Sequence, residues 1–235
     1  MNISKKNIFS FIGAAIITVL LIGLAGCHKS PSLPGNDSVP VGILEAAKQN
    51  NAKRVRKLLK KKIDKNKKDE NGVSALMYAA YYDSLDVVRL LLEAGAELED
   101  RDIYGGTALM WAANGNSAEA ARLLIRAGAN LNTKGTVNED GIELTPLMFA
   151  AGSNFTEVAK VLIETGADID AWGMYAGIDV NALMLAAYRN SVDVAKLLID
   201  AGADVKAKNR SGWTALSIAD NFGSDEVATL LALHQ

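Results

Sequence analysis

The sequence is short of the residues that carry chemistry. Its 235 residues hold one cysteine and two histidines. The lone Cys27 cannot close an internal disulfide. His28 falls beside Cys27 in a stretch rich in proline and serine, and His234 lies next to Gln235, so neither joins a metal-ligand cluster. No glycine-rich phosphate loop is present. The acidic pairs Glu139-Asp140 and Asp225-Glu226 are adjacent in sequence, in polar stretches that read as surface. With no nucleophile, base and orienting group in reach of one another, the chain reads as a non-catalytic protein with no cofactor, metal or small-molecule substrate. Proline is also scarce, at four residues. Three of these (Pro31, Pro34 and Pro40) fall within HKSPSLPGNDSVPVG, residues 28–42. Beyond that stretch the chain is almost free of the residue that breaks helices.

What is present begins with an export signal. Lys5 and Lys6 precede an apolar run from Ile8 to Leu24, and small residues follow at Ala25 and Gly26. This is the anatomy of a secretory signal peptide. A run of this length also just reaches across a bilayer, so an uncleaved anchor helix is the alternative. Leu24-Ala25-Gly26-Cys27 resembles the lipobox of bacterial lipoproteins. That resemblance implies cleavage after residue 26, lipidation of Cys27 and a mature chain that starts at the lipid. A thiol capped in this way is no liability in an oxidising compartment. Since His28 rather than Asp follows the cysteine, the resemblance implies an outer-membrane lipoprotein facing the periplasm. Residues 27–40 read as a flexible lipidated tether. Export makes nucleic acid an unexpected partner.

From residue 41 the chain repeats itself. Ser74-Ala-Leu-Met77, Thr107-Ala-Leu-Met110, Thr145-Pro-Leu-Met148, Asn181-Ala-Leu-Met184 and Thr214-Ala-Leu-Ser217 recur at spacings of 33, 38, 36 and 33 residues. Four of these copies lead on to a Gly-Ala pair, at Gly95, Gly128, Gly166 and Gly202. Val87, Val88, Leu91 and Leu92 make one apolar helical stripe. A single helical hairpin cannot bury such a face alone, but stacked neighbours share a core. Asp83, Asn116, Asn154, Asn190 and Gly223 hold the position between the two apolar segments, and these residue types tolerate a left-handed backbone. Ser84, Ser117, Ser191 and Ser224 come next, where a helix N-cap is expected. Asp86, Glu119, Asp193 and Glu226 then supply negative charge to the first turn.

The pattern resembles the ankyrin repeat over residues 41–235. The resemblance implies an all-α solenoid of about six helix-turn-helix repeats with β-turn fingers. We expect a capping repeat at 41–71, repeats at 72–104, 105–142, 143–178 and 179–211, and a C-terminal cap at 212–235. The ankyrin histidine is replaced by Met77, Met110, Met148 and Met184. These read as core filler rather than as a ladder of soft copper ligands. The two longer spacings place insertions between repeats, in NTKGTVNEDGIEL and DAWGMYAGIDV. Insertions of this kind map to loops on one face.

The resemblance also implies that a protein partner binds at the fingers and on the concave face of the first helices. The positions that match are Val73, Tyr81 and Tyr82; Arg101, Ile103, Tyr104, Asn114 and Gly115; Tyr188 and Arg189; and Arg210, Trp213, Asn221 and Phe222. Trp172, Met174 and Tyr175 in the second insertion join them as an aromatic contact site; the alternative is that they fold back onto the neighbouring finger. Tyr, Trp and Arg are the residues that dominate interface energies. Tyr78, Trp111 and Phe149 read equally well as half-buried core.

Charge is segregated. Residues 1–71 carry 14 basic and 5 acidic residues, net +9, and residues 72–235 carry 11 and 22, net −11. Arg54, Arg56, Lys57, Lys60 and Lys61 therefore offer a surface for anionic lipid, with a solvated capping helix as the alternative. The acidic remainder would steer a basic protein toward it. Similarity to small exported ankyrin lipoproteins suggests an immunity protein that neutralises a toxic effector, such as a lipase, in the periplasm. The alternative roles are a scaffold for a resident periplasmic enzyme and the binding of envelope components.

Overall fold

The structure is a computed structural model that describes residues 42–136 and 142–234. The expected signal peptide, Cys27 and the tether lie outside the described residues, as does part of the first insertion. Among the described residues, twelve helices follow one another in pairs. They are α1 (Ile43–Lys48) and α2 (Ala52–Lys60), α3 (Ala75–Tyr81) and α4 (Leu85–Glu93), α5 (Ala108–Asn114) and α6 (Ala118–Arg126), α7 (Pro146–Gly152) and α8 (Thr156–Glu164), α9 (Ala182–Arg189) and α10 (Val192–Asp200), and α11 (Ala215–Phe222) and α12 (Asp225–Ala232). First helices pack on first helices and second on second, so six pairs form two layers.

The repeated motif starts the five first helices from α3 onward. Ser74, Thr145, Asn181 and Thr214 sit at the N-cap, and each side chain accepts a hydrogen bond from the backbone three residues on. Pro146 takes the first helical position, where its missing N–H costs nothing. The leucine and methionine that follow point inward. Leu76, Leu109, Leu147 and Leu183 are fully buried, each worth about 1.5–3 kcal/mol. Met77, Met110, Met148 and Met184 are buried beside them, as expected of core filler. One cluster runs from Ile43 to Leu231, so the core is continuous through every pair.

The turns inside the pairs are left-handed where the sequence places them. Asp83, Asn116, Asn154, Asn190 and Gly223 have φ of 51°, 54°, 54°, 52° and 71°. The capping of the second helices differs from expectation. The serines occupy the N-cap position, yet their side chains cap nothing. They are buried, and the Ser117 hydroxyl instead donates to the Tyr81 carbonyl of the preceding pair at 2.8 Å. The capping acceptor comes from that preceding pair's turn. Asp83 Oδ1 accepts from Ala120 N at 2.9 Å, Asn154 Oδ1 from Val194 N at 3.4 Å, and Asn190 Oδ1 from Val227 N at 3.4 Å. A short Asx side chain held in the left-handed turn reaches the neighbouring helix end, whereas the local serine faces inward.

A second ladder runs through the fingers. Asn66, Glu99, Asn132 and Asp170 each accept a hydrogen bond from a backbone amide of the next repeat, at Glu97, Asn130, Asp168 and Asp204. The insertions add an element beyond the all-α expectation. β1 (Gly135–Thr136) and β2 (Glu143–Leu144) come from the first, and β3 (Gly173–Tyr175) and β4 (Ile178–Val180) from the second. They form one antiparallel sheet in the order β1-β2-β3-β4, joined in its middle by Glu143 opposite Met174. The sheet packs close to the methionine row. A Cβ on Gly173 would collide with the Glu143 carbonyl oxygen and lie 2.7 Å from Met148 Sδ, so only glycine fits there.

Candidate protein-binding face

The exposed stripe of the first helices begins one residue after the methionine position and returns a turn later. At the first level stand Tyr78, Trp111 and Phe149, all half-buried. Their polar tips tie helix to finger. The Tyr78 hydroxyl donates to Asp69 Oδ2 at 2.6 Å, and Trp111 Nε1 donates to Asp102 Oδ2 at 2.7 Å. The other oxygen of each carboxylate takes two backbone amides of its own finger. Asn209 organises the last finger in the same way, through Ser211 N and Trp213 N. Burial works to raise the Asp69 pKa, but the hydrogen bonds from Tyr78, Val73 and Asn71 outweigh it and hold the carboxyl below its ordinary value. Burial, then the bond to Asp69, pushes the Tyr78 phenol well up.

At the second level the rings gather into two groups. Near the N-terminal end, Tyr81 meets Tyr82 edge-on at 5.1 Å and Trp111 at 5.9 Å, and Trp111 meets Tyr78 at 5.8 Å. Lys48 Nζ sits 4.2 Å over the Tyr78 ring. Near the C-terminal end, Tyr188 packs edge-on against Phe222 at 4.6 Å and against Tyr175 at 6.3 Å. Edge-to-face pairs of this kind add about 0.5–1.5 kcal/mol beyond their area. Burial raises the pKa of both Tyr175 and Tyr188.

The remaining sequence-predicted residues fall as follows. Tyr82, Ile103 and Tyr104 are exposed, at 48%, 59% and 40%. Asn114 is exposed at the end of α5, and Gly115 follows it half-buried. Arg101 is exposed and donates to the Lys134 carbonyl of the next finger. Trp172 is exposed, whereas Met174 and Tyr175 are half-buried, Tyr175 having turned back onto α9. Arg189 is exposed, and its Nε donates to the Gly152 carbonyl at 3.1 Å. Arg210 pairs with Asp179 at 3.3 Å. Trp213 and Phe222 are half-buried, and Asn221 is exposed. Val73 is a correction: it is 4% exposed and belongs to the core, because the finger's own hydrogen bonds fold it inward.

The basic cap is an amphipathic helix. Val55 is buried on one side of α2. Arg56, Lys57, Lys60 and Lys61 are exposed, and Arg54 is half-buried. Sequence reasoning missed Lys48, whose place over Tyr78 depends on how α1 packs on α3. It also missed Gly152 and Ser153. Their signal is their small size in a row that holds tyrosine at α3 and α9. No group of side chains able to hold a metal, and no helix long and apolar enough to cross a membrane, occurs among the described residues.

A family model described as ankyrin repeats (3 copies) matches residues 43–135, 99–172, 134–209 and 174–235. No curated protein matches the chain. Among solved structures, the chain is similar to one in the complex of the predatory endopeptidase Bd0816 from Bdellovibrio bacteriovorus with immunity protein Bd3460. The identity is 32% and the TM-score 0.72, over 84% of this chain and all of that one. It is also similar to an ankyrin repeat domain (ABAYE2397) from Acinetobacter baumannii AYE, at 25% identity and a TM-score of 0.69, over 81% of this chain and 96% of that one.

Proposed function

Because the chain belongs to the ankyrin-repeat family, we propose that it is a lipid-anchored binding protein that neutralises a toxic hydrolase in the periplasm of the cell that makes it. The observation that carries the reading is the 32% identity, across 84% of the chain, to a chain from a complex of an endopeptidase and an immunity protein. It favours a peptidase over the lipase suggested by the sequence. The chemistry of the face agrees. Rings and an arginine crowd the first helices and fingers, where an interface draws most of its energy. Neutralisation would be by occlusion, with Tyr82, Tyr104 and Trp172 covering the mouth of the hydrolase's catalytic cleft. The Cys27 lipid would hold the protein where the hydrolase arrives.

The test is direct. The chain is co-expressed with an exported peptidase encoded beside its gene, and growth and peptidase activity are measured. Restored growth and stoichiometric inhibition, both lost when Tyr82 and Tyr104 are changed to alanine, are the expected outcome. Full peptidase activity in the presence of excess chain would sink the proposal.

A further inference from the structure

The ends of the first helices differ in size along the array. Tyr81 and Tyr82 end α3, and Tyr188 and Arg189 end α9. Between them stand Asn114 and Gly115, then Gly152 and Ser153. Successive first helices pack side by side along this row. Gly115 presses on the Tyr81 backbone, Arg189 reaches the Gly152 carbonyl, and Tyr188 packs on Phe222. At the usual helix spacing the two walls stand roughly 24–30 Å apart. A floor of small residues two helices wide therefore takes one helix, about 10–12 Å across with its side chains.

The chain's own cations show what this face accepts. Lys48 lies over the Tyr78 ring, its Nζ 4.2 Å from the centroid, where the ring face attracts a cation. Arg189 donates to a carbonyl in the last turn of α7, where the helix end carries partial negative charge. Apart from Arg189, the residues of the trough are uncharged. Residues 72–235 as a whole hold 22 acidic against 11 basic residues.

We propose that the trough over Asn114, Gly115, Gly152 and Ser153, walled by Tyr81–Tyr82 and Tyr188–Phe222, receives a lysine- or arginine-bearing helix or loop of the protein partner. This rests on the protein-binding reading above and names the chemistry of the bound segment. The incoming cation takes the kind of place Arg189 now occupies at the Gly152 carbonyl, and its aliphatic stem lies on the tyrosine faces.

The sign of the Arg189 effect tests this. A phage-displayed library of random peptides is panned on the full-length chain held through its C-terminus. The enriched peptides are then measured against variants. Net-positive peptides are expected, with binding weakened by salt. Ser153→Trp, which fills the floor at an exposed position, and Asn114→Arg, which adds a repelling charge, should each weaken binding by at least about tenfold. Arg189→Ala should tighten it, because a competing cation is removed. Thr229→Ala, exposed on α12 in the layer of second helices, should change little. Circular dichroism confirms that each variant is folded. Enrichment of acidic peptides, loss of binding in Arg189→Ala, indifference to Ser153→Trp, or a library that yields nothing would each overturn the proposal. None of these outcomes depends on peptidase inhibition, so the trough and the immunity role can fail separately.

Discussion

Two glycines at the ends of neighbouring first helices give a matched pair of substitutions. Gly115 caps α5 with φ −83° and ψ 0°, and Gly152 is the last residue of α7. Neither needs the left-handed region, so alanine carries no backbone penalty at either. The smaller chain entropy that alanine loses on folding would favour it over glycine by about 0.4–1 kcal/mol at both. The surroundings differ. A Cβ at Gly152 meets nothing within 4 Å. A Cβ at Gly115 would run into the Tyr81 carbonyl oxygen, 2.9 Å from its carbon and 3.0 Å from Tyr81 Cα. These are backbone atoms, so α3 and α5 must part. Forcing extra volume into a packed site costs about 1–3 kcal/mol. Gly152→Ala should therefore raise the unfolding free energy by about 0.4–1 kcal/mol, and Gly115→Ala should lower it by about 1–2. At this size 1 kcal/mol moves the melting temperature by roughly 2–4 °C. Urea unfolding followed by circular dichroism reads both changes. If the two variants shift the same way, the close approach of α3 and α5 is wrong.

Other expectations follow from the same geometry. At Asp83, alanine should cost more than glycine. Both lose the cap to Ala120 N, worth about 1 kcal/mol, but only alanine adds the left-handed penalty of about 1–2 kcal/mol at a φ of 51°; equal unfolding midpoints would refute this. Ala176 turns the β3–β4 hairpin with φ 50°, where Asn-Gly is the favoured pair. Ala176→Asn should stabilise by about 1 kcal/mol in the same assay. Asp69 has a folded pKa below 3.8, so its contribution is complete above 3.8 and is lost as pH falls through the folded value. Tyr78→Phe removes part of that depression and should move the acid limb of a circular-dichroism titration to higher pH; an unmoved limb would refute it. Apart from the geometry, the proposed lipid anchor predicts that Cys27→Ser releases the chain from the membrane fraction and abolishes labelling by radioactive palmitate; unchanged labelling would refute the anchor.

The repeat was legible because its landmarks are chemical necessities. A left-handed turn selects Asp, Asn or Gly, and this held at all five turns; a buried helix start selects Leu and Met, and this held in four copies, the last having a half-buried Leu216 and Ser217. The sheet was not legible. Its strands are two or three residues long, and β2 pairs with β3 from the next insertion, so no local alternation announces them. The serine caps misled for a related reason. Sequence reading assigns a cap to the nearest side chain, whereas here the acceptor lies 37–40 residues earlier. Of the candidate face, the aromatic positions could be read from the repeat register. The turning of Tyr175 onto Tyr188 depends on the hairpin and could not.

The sheet has a mechanical consequence. Elsewhere neighbouring fingers are linked by scattered side-chain bonds, such as Asn66 to Glu97 or Asp170 to Asp204, and by one isolated main-chain bond, from Ile103 N to the Asn71 carbonyl. Between the two insertions the link is main chain paired with main chain. Pulled from its ends, a solenoid behaves as a spring of weakly joined coils. This one has a stiff coil in its middle, so stretching should open the outer repeats first and leave the centre intact to the last.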